Sequence, residues 1–332
     1  MTPLTQRFLV GVSLALALNC ALADQDARAW LDRMNKELAT RNYDGTIIHF
    51  RNGKVETLRI VHRVDGGKVS ERLVSLDGSG REVIRNEEEL TCYLPDQRRV
   101  LVEPRQDRGP LMGTLPTFES SLSEYYRLEK QGPDRVFGRH TQVIAVTPND
   151  GYRFGYRLWI DERTAMPLKT QLCDEKGNVM EQILFTNISM PERIPKADVQ
   201  AAVKSEGFQW VRQQAPQDNR PFIDGLWQVS QVPPGFRLTA TNRQQIEGSN
   251  DPVAHLVYSD GLASVSVFIE MKAQQPAQFK GFARVGSAVT FSTTVRGHLV
   301  TAVGEVPKKT VQLIAHSVKP TAQTETAGDK TR

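Results

Sequence analysis

The chain has 332 residues, which is enough for about two domains of ordinary size. Its composition, 39% hydrophobic and 24% charged, is that of a globular protein and excludes collagen-like, low-complexity and wholly disordered chains. The net charge of +4 is too small to indicate nucleic-acid binding, and three cysteines are too few for a disulfide scaffold.

Residues 1–23 have the pattern of a secretory signal peptide. Arg7 precedes an apolar run, residues 8–18, which is shorter than the ~20 residues that span a bilayer. Ala21-Leu-Ala23 then fits a cleavage site. Lipidation of Cys20 and a buried N-terminal helix are the alternatives. We predict that residues 1–23 are removed and that the rest of the chain is periplasmic.

A helix followed by a series of strands is predicted for a first domain at residues 24–205. Ala27, Trp30, Leu31, Met34 and Leu38 form one apolar stripe at helical spacing. Tight turns such as Asn52-Gly53 join the strands, so neighbouring strands should pair antiparallel and curl into a barrel or split into a sandwich. The predicted strands span residues 43–50, 55–64, 69–76, 81–85, 90–94, 99–102, 141–147, 152–161, 167–173 and 179–188.

The segment from Glu103 to Thr117 interrupts this series with prolines and glycines and leads into a predicted short helix at residues 118–126. A loop of this length inside a domain is usually functional or mobile. We hypothesise that it gates a cavity; a surface excursion is the alternative.

The strand faces suggest a ligand cavity. A curved sheet with few helices does not fill its own concavity, so it can hold an apolar ligand, although a plainly packed core is the alternative. The candidate cavity residues, chosen from the apolar faces, are Ile48, Phe50, Leu58, Ile60, Phe154, Tyr156, Leu158 and Phe185. The candidates for binding a lipid headgroup are Arg51, Arg59, Arg63 and Arg85, for which an ordinary solvated strand face is the alternative.

Prolines and polar residues predict a linker at residues 206–220, followed by a small domain at residues 221–319 and a disordered tail at residues 320–332. The small domain combines alternating strands with a helix over Pro307 to Val318. Its aromatic residues Phe236, Tyr258 and Phe268 are candidate anchors for a protein partner, with core packing as the alternative for Phe268.

The sequence contains no recognisable catalytic or metal-binding pattern. His49 and His62 could face one another across the first hairpin, but two histidines alone rarely bind a metal. Strand alternation places Cys92 on an apolar face and Cys173 on a polar face, which disfavours a disulfide that an oxidising compartment would permit. We predict no enzymatic activity, no metal and no cofactor; an enzyme acting on envelope glycan or lipid is the alternative.

Several short segments, taken in order, resemble the MucB/RseB family of periplasmic regulators of an envelope-stress sigma factor. The resemblance covers residues 26–318. The segments are Arg81-Glu-Val-Ile-Arg85, Tyr156-Arg-Leu-Trp-Ile-Asp161 with Pro167-Leu-Lys169, Asp174-Glu-Lys-Gly177 with Glu181-Gln182, Val232-Pro-Pro-Gly-Phe236, Leu256-Val-Tyr-Ser-Asp-Gly-Leu262 and Val303-Gly-Glu-Val-Pro307.

The resemblance implies a mainly β fold. The large N-terminal domain would be an unclosed antiparallel β-barrel related to lipoprotein carriers, with helices in its concavity, and the C-terminal domain a smaller α+β unit. Such proteins bind the periplasmic domain of a single-span anti-sigma factor, shield it from site-1 proteolysis and are displaced by lipopolysaccharide or another lipid. A periplasmic lipid or lipoprotein carrier is the alternative function. No nucleic acid is expected, and homo-oligomerisation stays open.

Overall fold

The computed structural model describes residues 26–78, 80–104, 124–212, 227–244, 253–270 and 280–321. The predicted signal peptide, most of the Glu103–Thr117 loop, residues 118–123 of the helix predicted at 118–126, linker residues 213–220 and tail residues 322–332 lie outside these ranges. Tyr126, at the end of that predicted helix, is in a strand. Helix α1 spans residues 26–40.

Eleven strands of the first domain follow α1 along the chain, and a twelfth comes from the predicted linker. They are β1 (Tyr43–Arg51), β2 (Lys54–Asp65), β3 (Lys68–Ser75), β4 (Glu82–Arg85), β5 (Glu89–Leu94), β6 (Arg99–Pro104), β7 (Tyr126–Val136), β8 (Arg139–Pro148), β9 (Gly155–Asp161), β10 (Pro167–Cys173), β11 (Val179–Ser189) and β12 (Gln209–Arg212). The ten predicted strands all correspond to observed ones.

These strands form one sheet in the order β12-β6-β5-β4-β3-β2-β1-β11-β10-β9-β8-β7. Two meanders, β1 to β6 and β7 to β11, meet where β1 pairs with β11. Within the described residues the edge strands β12 and β7 do not pair, so the sheet is an unclosed barrel. All neighbours are antiparallel except β12, which runs parallel to β6. Residues 209–212 of the predicted linker therefore belong to the large sheet.

Strand β7 has no counterpart among the predicted strands, because its sequence is unfavourable for a strand. It contains Gly132 and Pro133, and the six consecutive residues from Lys130 to Arg135 are exposed. Its pairing with β8 is irregular between Lys130 and Pro133. Proline cannot donate to a ladder and is tolerated on an edge strand, which is the position β7 occupies.

The apolar stripe of α1 is buried, as predicted. Ala27, Leu31 and Met34 are fully buried and share one core with the inner face of the sheet. Phe185 packs over β1 at Gly45, where a β-carbon would come within 2.8 Å of the Phe185 ring. The helix therefore fills part of the concavity, and a glycine admits the aromatic ring beside it.

The inner face of β1 is the opposite of the predicted one. Tyr43, Gly45 and Ile47 are buried, and Ile47 pairs with Leu58 of β2. Residues directly opposite in an antiparallel pair share a face, so Ile48 and Phe50 lie on the outer face. Both faces of β1 carry isoleucine, so the alternation of apolar residues did not distinguish them.

The second domain contains a six-stranded antiparallel sheet, a two-stranded ladder and helix α2 (Lys308–His316). Its strands are β13 (Trp227–Val229), β14 (Arg237–Gln244), β15 (Val253–Ser259), β16 (Ser264–Glu270), β17 (Gly281–Val285), β18 (Ala288–Val295), β19 (His298–Gly304) and β20 (Val318–Pro320). Val311, Ile314 and Ala315 of α2 are fully buried in the core with one face of the sheet.

Cys92 and Cys173 are both free thiols. Cys173, which was predicted to lie on a polar face, is buried, whereas Cys92 is only half-buried. Burial raises the pKa of the Cys92 thiol. No helix within the described ranges is long and apolar enough to cross a membrane.

Candidate functional site

A cavity of about 550 Å³ lies on the inner face of the large sheet, where β1, β2, β3 and β11 run side by side. Its apolar residues from the large sheet are Ile47, Leu58, Leu73 and Ile183. Ile47 and Leu58 also belong to the core that α1 packs into. An apolar wall of this kind can hold a hydrocarbon chain.

Ionisable side chains line the cavity beside this apolar wall. They are His49, Arg51, Lys54, Glu56, Arg81 and Glu181. The Arg81 guanidinium lies 3.8 Å from the Glu56 carboxylate, and Lys54 is exposed. A cavity with an apolar wall and cationic groups at its rim suits an amphiphile that carries an anionic headgroup.

The second domain contributes Val285 and Gly286 to the cavity, from the turn between β17 and β18. Gly286 has a φ of +69°, and a β-carbon there would lie 2.4 Å from Nε of Arg51. A glycine is therefore required at position 286 for two reasons, the left-handed backbone and the close approach of Arg51. The cavity is thus bounded by both domains.

Two carboxylates, one from each domain, meet beside this turn. Ser287 donates a hydrogen bond of 2.7 Å to Glu181 of β11 and also contacts Glu305, which follows β19. Arg51 lies 3.5 Å from Glu181 and 3.1 Å from Glu305, and His49 lies 2.7 Å from Glu181. The Ser287 hydroxyl has one proton, so it can donate to only one of these carboxylates at a time.

The same contacts move the two carboxyl pKa values in opposite directions. Burial opposes ionisation of Glu181, but hydrogen bonds from His49 and Ser287, together with Arg51, outweigh it and lower the pKa of Glu181. Burial raises the pKa of Glu305, and the adjacent Glu181 carboxylate adds to this effect. Arg51 is therefore the cation that balances two carboxylates across the domain junction.

A second polar contact joins the domains away from the cavity. Arg153 is fully buried, and its guanidinium lies 2.9 Å from Asp260 of the second domain. Asp260 also accepts a hydrogen bond of 3.1 Å from the Tyr126 hydroxyl. The Arg153 guanidinium packs over the rings of Tyr126 and Phe236. A buried pair of this kind holds the junction in one geometry, because separating it leaves an uncompensated charge.

Four of the eight predicted cavity residues lie in the cavity or in the core around it. Leu58 lines the cavity, while Ile60, Leu158 and Phe185 are buried in the surrounding core. Tyr156 lines a small adjoining pocket with Glu181, Ile183 and Glu305. Phe154 is buried just before β9 but is not among the cavity residues. Ile48 and Phe50 are corrected to the outer face, because the buried Ile47 sets the orientation of β1.

Of the four predicted headgroup residues, Arg51 alone lines the cavity. Arg59 makes a bidentate contact with Asp44, and Arg63 donates a hydrogen bond to the Ile194 carbonyl. Arg85 is buried and paired with Glu71. Lys54 and Arg81 were missed. The Asn52-Gly53 turn pairs Lys54 with Arg51, so the two-residue hairpin was a signal that could have identified Lys54.

The predicted partner residues differ in accessibility. Phe236 and Tyr258 are buried in the core of the second domain and present no surface in this arrangement. Phe268 is half-buried on the sheet face opposite to Val267, where its ring stacks on His255 at 4.4 Å. Phe268, for which core packing was the alternative, is therefore the accessible residue of the three.

The two predicted neighbours His49 and His62 do not face one another. His49 pairs with Glu56 in the register and contacts Glu181, whereas His62 pairs with Tyr43 and contacts Glu71 at 2.8 Å. The two-residue turn places the histidines several register positions apart. Each histidine is therefore a partner of a buried glutamate.

These features define a mainly β protein of two domains, with a cavity between an unclosed sheet and a turn of the smaller domain. Residues 26–203 match the MucB/RseB N-terminal domain, and residues 223–319 match the MucB/RseB C-terminal domain. The chain belongs to the MucB/RseB family.

Similar proteins extend this match through both domains. The chain is 35% identical to the sigma factor AlgU regulatory protein MucB of Pseudomonas aeruginosa over 90% of this chain and 92% of that protein. It is similar to the structure of the Pseudomonas aeruginosa MucA/MucB complex, with a TM-score of 0.71 and 33% identity over 90% of this chain and 99% of that one. A structure of MucB in complex with MucA(peri) gives a TM-score of 0.69 and 32% identity over 89% and 99%.

Proposed function

We propose that this protein is a periplasmic regulator of an envelope-stress sigma factor. It binds the periplasmic segment of a membrane anti-sigma factor and shields that segment from site-1 proteolysis. A lipid, such as lipopolysaccharide, releases it. It acts by binding and not by catalysis.

The observation that carries this proposal is the similarity, through both domains, to structures of MucB in complex with MucA. A carrier would need only the large sheet and its cavity. A regulator needs the second domain in addition. This domain contacts the first domain through the pair Arg153–Asp260 and through the hydrogen bond from Ser287 to Glu181. The exposed side of Phe268 is the surface we propose for the partner, on the sheet face that α2 leaves uncovered.

The cavity supports the lipid part of the proposal. Acyl chains would contact Leu58, Leu73 and Ile183, and each buried CH₂ would contribute about 0.8 kcal/mol. A headgroup phosphate would bind beside Lys54 and Arg81, which line the same cavity. A lipid that binds the free regulator better than the complexed one weakens the complex by the same factor.

Calorimetry tests the proposal. The protein without residues 1–23 is titrated with the periplasmic segment of the anti-sigma factor from the same organism, with and without lipopolysaccharide. Tight binding that weakens with lipid is the expected result. Lipid binding without segment binding, together with transfer of the lipid to an acceptor, would instead identify a carrier.

Paired variants test the cavity. Leu73→Trp should fill it and lower lipid affinity while segment binding persists. Val74→Trp, at the adjacent half-buried position on the outer face, is the matched control and should leave lipid affinity unchanged. Lys54→Gln and Arg81→Gln should each lower lipopolysaccharide affinity by about two- to fivefold, whereas Arg59→Gln on the outer face should not.

A further inference from the structure

Arg51 has two roles in the structure. It lines the cavity, and it is the cation that contacts both Glu181 of the large sheet and Glu305 of the second domain. Its side chain is about a third exposed, so an anion in the cavity can reach it. A group that occupies the Arg51 guanidinium therefore competes with a contact between the domains.

We infer that Arg51 is the residue through which an anionic ligand in the cavity loosens the second domain from the large sheet. This inference rests on the proposed function, because it describes how the proposed lipid signal, once bound, acts on the contact between the domains. The ligand chemistry is a phosphate monoester, the group that a guanidinium binds through paired hydrogen bonds.

Repulsion between carboxylates provides the driving force. Glu181 and Glu305 both contact Ser287, whose single hydroxyl proton serves only one of them. With Arg51 taken by a phosphate, the two carboxylates lose their shared cation, and the phosphate adds further negative charge. Like charges held close together in a partly buried site repel one another. Because Glu181 belongs to the large sheet and Glu305 to the second domain, this repulsion acts between the domains.

The turn that would move also borders the cavity. Val285 and Gly286 line it, and Gly286 lies against the Arg51 guanidinium. Val285 is 70% exposed, so the turn is not fixed by burial of this side chain. A displacement of Arg51 toward the cavity therefore removes a contact from the turn itself. The strands that leave this turn, β17 and β18, are the segments in which loosening should be measurable.

Hydrogen exchange of the protein without residues 1–23 tests the inference. Lipopolysaccharide should accelerate exchange in β17 and β18 of the wild type by about two- to fivefold, the range of a partly exposed ion pair. Dephosphorylated lipopolysaccharide should bind without this effect. Inorganic phosphate alone should also leave exchange unchanged. Acceleration of exchange by inorganic phosphate alone would contradict the inference that the anion comes from a lipid.

Two variants should reproduce the loosened state without ligand. Arg51→Gln removes the shared cation, and Gly286→Ala places a β-carbon on the Arg51 guanidinium. Gly297→Ala is the matched control, because Gly297 has a φ of +81° but a β-carbon there would meet no atom within 4 Å. If exchange in β17 and β18 is as fast in Gly297→Ala as in Gly286→Ala, the inferred role of Arg51 is contradicted.

Glu305→Gln separates the inference from the proposed function. The variant removes one of the two like charges and keeps a side chain of the same shape, whose amide oxygen can still accept hydrogen bonds from Ser287 and Arg51. It should bind lipopolysaccharide about two- to fivefold more tightly, and the lipid should no longer accelerate exchange or weaken segment binding. Equal lipid-induced release in Glu305→Gln and wild type would overturn the Arg51 coupling and leave the proposed function standing. Failure of lipopolysaccharide to bind the wild type would overturn both.

Discussion

At the scale of single residues, the site depends on how buried charges are balanced. Glu181 is nearly buried yet keeps a lowered pKa, because His49, Ser287 and Arg51 all favour its ionised form. Glu305 has the same chemistry but fewer compensating contacts, and burial raises its pKa. The pKa values of the two glutamates move in opposite directions because their surroundings differ, although the residue type is the same. No pattern in the sequence could therefore indicate which glutamate has the raised pKa.

Glu181→Gln should reveal the stability that this ionised group provides. A pKa lowered in the folded state means that the stabilisation exists above the ordinary value of 4.5 and is lost as pH falls through the folded value. The variant should therefore lose about 1–3 kcal/mol at neutral pH, and its deficit should shrink below pH 4.5. Denaturant unfolding across pH measures this. Glu175→Gln, in an exposed turn, is the control, and a deficit in Glu181→Gln that grows with acidity would contradict the assignment.

At the scale of elements, the large sheet was predictable except at its edges and in one choice of face. Tight turns such as Asn52-Gly53, both at positive φ, fixed the hairpins from local chemistry. Strands β7 and β12 were not predicted, because an edge strand needs neither strong β-formers nor an apolar face. The inner face of β1 was predicted wrongly, since Ile47 and Ile48 are chemically identical and only their neighbours distinguish them.

Replacement of these two isoleucines tests the face assignment. Ile47 is 2% exposed and packed in the main core, so Ile47→Ala should lower the free energy of unfolding by about 2–4 kcal/mol. Ile48 is half-buried on the outer face, so Ile48→Ala should cost about 1 kcal/mol. Guanidinium unfolding of both variants is the measurement. A larger loss of unfolding free energy for Ile48→Ala than for Ile47→Ala would contradict the assignment of Ile47 to the inner face of β1.

At the scale of the whole molecule, the two domains are joined by polar contacts. Arg153–Asp260 is buried, whereas the cluster around Arg51 is partly exposed and borders the cavity. The first is suited to holding the domains together, and the second is the contact on which we propose that a ligand acts. This division would let a ligand loosen one side of the junction while the other stays closed.

Arg153→Met should be strongly destabilising, by about 3–5 kcal/mol, because it leaves Asp260 buried without its cation. Arg157→Met, on a half-buried side chain of the next strand, should have little effect. Adding Asp260→Asn to Arg153→Met should recover part of the loss, since it removes the unpaired charge. Thermal and denaturant unfolding of the three variants measure this, and full stability of Arg153→Met would show that the pair does not hold the junction.

The export signal pattern, the antiparallel meander, the helix stripe of Ala27 to Leu38 and the family resemblance could all be predicted from the chain, because each is recognised from short segments of sequence. Only the tertiary structure decided that Arg51 lines the cavity while Arg59 and Arg63 do not, that Phe236 is core while Phe268 is accessible, and that Glu181 meets Glu305. The physical reason is that these properties depend on strand register and on the contact between domains. Both are set by residues more than a hundred positions apart, as the pairing of β1 with β11 and the contact of Arg51 with Glu305 illustrate.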